Sequence, residues 1–153
     1  MKSPAPRTSS DDGVIEATRA ALGDLIIDAT EHAFEVTLTV HRRDLYKALE
    51  ALRDTPGLEY QQLMEIAGVD YPERPERFEV NYCLLSLTKN RRIRVKTLTD
   101  EKHAVPSVVD LWPVAGWLER EVWDMYGVRF DGNPDHRRIL TDYGFTGHPF
   151  RKD

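Results

Sequence analysis

The run Arg77-Phe78-Glu79-Val80-Asn81-Tyr82-Cys83-Leu84-Leu85-Ser86-Leu87, followed by Arg91-Arg92-Ile93-Arg94-Val95-Lys96-Thr97-Leu98, reads as two β-strands joined by a tight turn at Lys89-Asn90. In the second strand, alternation puts Arg92, Arg94 and Lys96 on one face and Ile93 and Val95 on the other. Such a strand suits a sheet with one wet and one packed face. Upstream, Phe34-Glu35-Val36-Thr37-Leu38-Thr39-Val40 alternates strictly, and Leu25-Ile26-Ile27 and Tyr60 to Ile66 also read as strands. Helical spacing marks Val14 to Leu22, stopped by Gly23, and Arg43 to Arg53, where Leu45, Tyr46, Leu49 and Leu52 form one stripe before Pro56-Gly57. Residues 99–113 are irregular. The order helix, strand, strand, helix, three strands, helix lacks regular βαβ alternation. It predicts a single α+β domain with a mixed β-sheet and helices packed on one face.

A chain of 153 residues, 41% hydrophobic, can bury roughly two-thirds of its extended surface, enough for one core. Its net charge of −5 argues against general affinity for nucleic acid or an anionic membrane. No apolar run approaches the roughly 18 residues needed to span a bilayer, and Met1-Lys2-Ser3-Pro4-Ala5-Pro6 lacks the apolar region of a secretory signal. A soluble or peripheral protein is expected. The single cysteine, Cys83, forms no internal disulfide and cannot by itself hold an iron–sulfur cluster; it reads as a small buried hydrophobe in a strand. Residues 1–12, rich in Ser, Pro, Thr and Asp, read as a flexible N-terminal arm, and residues 13–127 as the folded domain.

The last helix opens near Pro113 and ends at Gly127, with Val114, Trp117, Leu118, Val122 and Met125 predicted as its buried stripe. Glu119, Arg120, Trp123 and Asp124 are left on other faces, where a large aromatic among charges suggests a partner-facing surface. Residues 128–153 fit neither a helical nor a strand period. They are too aromatic for a disordered segment, with Phe130, Tyr143, Phe145 and Phe150, and read as an extended tail ordered by lying on another surface.

Glu119-Arg120-Glu121, Trp123-Asp124-Met125-Tyr126-Gly127, Arg137-Arg138-Ile139-Leu140-Thr141-Asp142-Tyr143-Gly144-Phe145 and Gly147-His148-Pro149-Phe150-Arg151-Lys152-Asp153 resemble the 30 kDa subunit of respiratory complex I, the C subunit of bacterial NADH–quinone oxidoreductase. Val69-Asp70-Tyr71-Pro72-Glu73-Arg74, the Arg77 to Tyr82 run and Arg91 to Lys96 extend the resemblance over residues 60–153. The family usually carries His or Lys where Asn133 stands. Its tail usually continues past the position of Asp153, so a chain either shortened or only partly represented is expected, and a fusion to the quinone-site subunit is not expected.

The resemblance implies a cofactor-free structural subunit of the peripheral arm, packed against the 49 kDa (D) subunit and neighbouring B and I subunits. The assembly would use FMN, iron–sulfur clusters, NADH and quinone, translocate protons, and sit on the cytoplasmic side of the bacterial inner membrane, or the matrix side in a mitochondrion. Glu119, Arg120, Glu121 and Asp124 would form the charged part of a clamp, flanked by Trp123 and Tyr126. Arg137, Arg138, Asp142, Tyr143, His148, Arg151 and Lys152 would anchor the tail on neighbours.

Three other readings follow from the residues themselves. A small hydrolase would use Glu119, Glu121 or Asp124 as paired carboxylates, but positions 119 and 121 point about 200° apart on a helix. A metal site from Asp135, His136, Asp142 and His148 matches no familiar zinc spacing. A nucleic-acid module would rest on the basic strand Arg91 to Lys96 alone.

Overall fold

The computed structural model describes residues 11–153; the predicted N-terminal arm falls largely outside the described residues. Helix α1 (Val14–Leu22) leads through a 3-10 turn into β1 (Ile26–His32) and β2 (Glu35–Val40). A second 3-10 turn at Arg42–Asp44 opens α2 (Leu45–Asp54), followed by β3 (Gln62–Asp70), β4 (Phe78–Ser86) and β5 (Arg91–Thr99). Short β6 (Val105–Pro106), α3 (Ala115–Tyr126) and β7 (Phe130–Asp131) complete the order.

The five long strands form one sheet in the order β1-β2-β5-β4-β3. The pairs β1–β2, β3–β4 and β4–β5 are antiparallel and β2–β5 is parallel, so the sheet is mixed as predicted. The register lines up Val36 with Ile93, Leu38 with Val95, Tyr82 with Val95 and Leu84 with Ile93. These side chains are buried and join Leu45, Ala48, Leu49 and Leu52 of α2 and Ala115 and Val122 of α3 in a continuous core. On the opposite face Arg94 pairs with Glu35 at 3.2 Å and Lys96 approaches Glu79 at 3.9 Å. The basic strand is thereby drawn into ion pairs within the sheet.

Several expected boundaries move by one to five residues, the first strand running on from Ile27 to His32. Phe34 lies in the β1–β2 turn rather than in the strand, with φ of 65° and 93% exposure. β3 begins after Tyr60 and runs on to Asp70 because its full length pairs with β4. The domain also does not close at Gly127. Val128 and Phe130 are buried, and β7 pairs in parallel with β6, so the first residues of the predicted tail belong to the core.

The buried stripe of α3 is rotated from the expected one. Val114 and Trp117 are 48% and 63% exposed, whereas Ala115, Glu119 and Val122 face inward and Arg120, Asp124 and Met125 are also buried. A hydrophobic count cannot see why. The buried polar groups of this helix find partners in the backbone of the segments around it.

Candidate partner interface

Helix α3 is the spine of the region. At its N-terminal half, Glu119 is fully buried and accepts from Ser107 Oγ at 2.8 Å, the Val108 backbone N–H at 2.8 Å and Asn133 Nδ2 at 2.9 Å. It ties the loop before α3 to the segment after it. Burial raises the Glu119 carboxyl above its ordinary range, and the three donors offset only part of this.

One and a half turns on, Asp124 is equally buried but differently surrounded. The N–H groups of Ile139, Leu140 and Thr141 converge on its Oδ2 at 3.1, 2.7 and 2.9 Å. The Thr141 hydroxyl and Arg138 Nη1 donate to Oδ1 at 2.6 and 2.8 Å. Three successive backbone donors form an anion nest, here filled by the chain's own carboxylate. Burial pushes the Asp124 carboxyl up, but the Thr141 hydroxyl and N–H, the Leu140 N–H and Arg138 outweigh it and hold the group well below the usual carboxylate range.

Arg120 works in the opposite sense, donating to the backbone carbonyls of Arg137 at 3.1 Å and Arg138 at 2.8 Å while its guanidinium lies 4.9 Å from the Trp117 ring centre. Trp123 is flanked by His136 and His148, with ring centres 4.9 and 5.1 Å away. His136 Nε2 accepts from the Phe130 N–H at 3.1 Å, and burial lowers the imidazole's pKa. Among the described residues no three His, Cys, Asp or Glu side chains converge to hold a metal.

The end of the tail caps α3. A helix leaves its last four carbonyls without intrahelical partners. Here Gly127 N–H reaches Trp123 O at 2.7 Å, His148 Nδ1 lies 3.1 Å from Asp124 O, Phe150 N–H reaches Met125 O at 3.0 Å and Arg151 Nε reaches Tyr126 O at 2.7 Å. The Arg151 cation also sits favourably at the negative end of the helix dipole. Gly127 is required twice over: its φ is +81°, and an added Cβ would collide with Arg151 and His148. Beyond it, Lys152 N–H donates to Asp70 at 2.8 Å, and Arg77 grips Asp70 through two bonds of 2.8 Å while reaching Asp153 at 3.0 Å. The Arg77 contact, against burial and with help from Lys152 N–H, lowers the Asp70 carboxyl.

These contacts correct the sequence-based assignment. Glu119, Arg120 and Asp124 are not a free charged face; they are enclosed by the loop and tail of their own chain. The tail accordingly takes much of its order from α3. Arg138, Arg151 and His148 bind helix groups, and Trp123 and Tyr126 are half-buried beneath the tail. Arg137 is exposed and pairs with Asp135 at 2.7 Å, while Glu121, Asp142, Tyr143 and Lys152 remain exposed. Glu119 and Asp124 are occupied by internal donors, so the three helix carboxylates form no open catalytic pair. Ser107, Val108, Asn133, Asp70 and Arg77 complete the site. Their part rests largely on backbone groups and distant pairings that leave no periodic mark in a sequence.

The fold and site together define a mixed-sheet α+β module whose C-terminal strap is locked onto a helix with buried charges. Residues 38–153 match the family described as respiratory-chain NADH dehydrogenase, 30 Kd subunit. The chain is 62% identical over 149 residues to the C subunit of the NADH-quinone oxidoreductase of Novosphingobium aromaticivorans, covering 97% of this chain and 48% of that protein. Its identity to the corresponding C subunit of Erythrobacter litoralis is 63% over 149 residues, covering 97% and 59%. The chain therefore spans about half to three-fifths of the length of these relatives. In fold it is similar to a chain in the structure of the membrane-bound sulfane sulfur reductase, an archaeal respiratory membrane complex, with a TM-score of 0.69, 22% identity and coverage of 84% of this chain and 74% of that one. The chain belongs to the family of the 30 kDa subunit, the C subunit of the bacterial NADH-quinone oxidoreductases.

Proposed function

We propose that this chain acts as a cofactor-free scaffold in the peripheral arm of a proton-translocating NADH–quinone oxidoreductase, holding the quinone-module subunits in fixed relation. The observation that carries the reading is the strap itself. Its backbone is anchored on buried Asp124, yet Leu140, Tyr143, Phe145 and Phe150 point outward at 61%, 108%, 44% and 57% exposure. Apolar side chains displayed on an anchored segment suit a surface that a partner covers, since such a patch is costly to leave in water. The adjoining Trp117 is 63% exposed and extends the patch onto α3.

On this reading the 49 kDa (D) subunit is the principal neighbour, with B and I nearby, and the redox groups of the assembly belong to those and other subunits. Among the described residues no helix is long and apolar enough to cross a membrane. Attachment to the cytoplasmic or matrix side would then run through the partners. Electron transfer and quinone access both depend on fixed distances, which an anchored strap can help maintain.

Affinity capture through a tag on the N-terminus tests the proposal. The D subunit should remain attached, and Tyr143→Asp with Phe150→Asp should reduce its recovery at least tenfold while leaving the circular dichroism of the chain unchanged. Recovery of the chain alone from cells that make the complete assembly would overturn the reading.

A further inference from the structure

The strap leaves the core through a short loop. After β7 the chain turns away at Gly132 and comes back at His136, whose Nε2 accepts the Phe130 N–H at 3.1 Å. That N–H lies on the free edge of β7, because the other edge is taken by β6: Val105 N–H reaches Arg129 O at 2.8 Å and Ser107 N–H reaches Asp131 O at 2.7 Å. The imidazole is therefore the acceptor that closes the loop. Two imidazoles flank Trp123, and they bond in opposite senses. His148 Nδ1 donates to the Asp124 carbonyl at 3.1 Å, a bond that a doubly protonated ring keeps. His136 Nε2 accepts, and a doubly protonated ring has no lone pair left to do so.

The groups around His136 do not offset this. Burial lowers its pKa; contact with its own backbone and the nearby Asp131 favour the proton, Arg129 disfavours it, and the balance stays on the low side. Asp135, the nearest acid within the loop, is engaged by Arg137 at 2.7 Å and by Arg120 at 3.5 Å. From α3 the ring meets the neutral indole of Trp123, with centres 4.9 Å apart, and from β7 the ring of Phe130 at 6.4 Å. Both faces attract a cation, yet the Phe130 N–H would then point at another N–H. Two further acids hold the strap. Glu119 takes Asn133 Nδ2 of the same loop and keeps that bond in either protonation state, while Asp124, held well below the usual carboxylate range, keeps residues 139–141 in place through mildly acidic pH.

We infer that His136 is a proton-operated clasp: when its ring takes up a proton it drops the Phe130 N–H and opens the loop of residues 132–136 from β7, while the strap beyond stays anchored on Asp124. The device belongs to the chain's own strap and holds whether or not a partner covers it, so it stands apart from the scaffold reading. Its direction follows from linkage. A ring that titrates lower when folded gives stability that is present above the ordinary His value of about 6.5 and is lost as pH falls from there through the folded value. The strap thus has one attachment that loosens in mild acid and one that does not.

The test follows amide exchange of the full chain at about pH 7.5 and about pH 5, on either side of the ordinary His value, each corrected for the intrinsic exchange rate. Protection of the Phe130 amide should fall about tenfold at the lower pH, the scale of one hydrogen bond lost, while Ile139, Leu140 and Thr141 keep theirs. By nuclear magnetic resonance the Phe130 amide and the His136 ring should titrate with a single midpoint. His136→Gln supplies an acceptor that does not titrate and should remove the acid response; His136→Phe supplies none and should leave Phe130 unprotected at both values. Circular dichroism checks that both variants keep the fold. Equal Phe130 protection at the two pH values in the unaltered chain, separate midpoints for ring and amide, an acid response that persists in His136→Gln, or an equal loss at residues 139–141 would overturn the inference.

Discussion

Glu119 and Asp124 sit on one helix, both fully buried, yet their carboxyl groups are driven in opposite directions. Glu119 has three donors, all neutral: a hydroxyl, an amide and one backbone N–H. Asp124 has five, including a guanidinium and three successive backbone N–H groups on one oxygen. Burial alone does not determine the state of a buried acid; the number and charge of its donors decide whether desolvation wins. The two halves of α3 thus tie down neighbouring segments by different means. One uses a carboxylate that tolerates its site, and the other a carboxylate that the site actively favours.

The largest expected effect comes from breaking the favoured half. Asp124→Ala leaves Arg138 and three converging N–H groups without their acceptor, and losing one partner of a buried pair costs about 3–5 kcal/mol. Amide exchange should quicken at Ile139, Leu140 and Thr141 before the sheet loses protection, because the sheet does not depend on these bonds. Uniform loss of protection across β4 and β5 would show instead that strap and sheet unfold as one unit. Arg138→Ala should act in the same place, so any loss of partner binding in that variant would operate through the chain's own strap.

A smaller effect, about 1–3 kcal/mol, is expected from Glu119→Ala, which leaves buried donors of Ser107, Val108 and Asn133 unsatisfied. The two acids also predict opposite pH signatures. Asp124 titrates lower in the folded state, so its stabilisation is complete above the ordinary Asp value of about 3.9 and is lost as pH falls through the folded value. Glu119 titrates higher when folded, so its contribution is greatest below the ordinary Glu value of about 4.3 and declines as pH rises through the raised one. Denaturation midpoints across pH should therefore lose part of their acid-side slope in Asp124→Asn, the remainder belonging to groups such as Asp70, and the slope just above the ordinary Glu value should shrink in Glu119→Gln.

Much of the sheet was legible because its signal is local. The alternation of Val36, Leu38 and Val40, and of Ile93 and Val95, survives intact as the packed face. Gly127 likewise announced the end of α3. Strand order was not legible, since the parallel β2–β5 pairing joins residues more than fifty positions apart. The α3 stripe failed for a specific reason: counting apolar positions placed Trp117 inside and Glu119 outside, while the structure does the reverse. What makes Asp124 tolerable inside is largely backbone N–H, which every residue but proline possesses and no sequence pattern advertises, and Glu119 adds one such donor to two side chains, Ser107 and Asn133, more than ten residues away. The tail lacked a period because it is neither helix nor strand; it follows the unsatisfied groups of a helix already formed.

The smallest predicted effect gives the sharpest test of why the two acids differ. Asn133 is half-buried and donates to Glu119 at 2.9 Å, so Asn133→Lys would place a cation beside Glu119 as Arg138 stands beside Asp124. If the missing cation separates the two sites, the Glu119 carboxyl should titrate lower in this variant, and the loss of stability above the ordinary Glu range should shrink. The gain should stay under about 1 kcal/mol, because an ammonium at a partly wetted position is screened. Side-chain carboxyl carbon shifts followed across pH would read Glu119 directly. An unmoved titration would assign the difference to the backbone nest that Asp124 alone possesses, and would make the conformation of residues 139–141, rather than the charge of Arg138, the element that holds the strap.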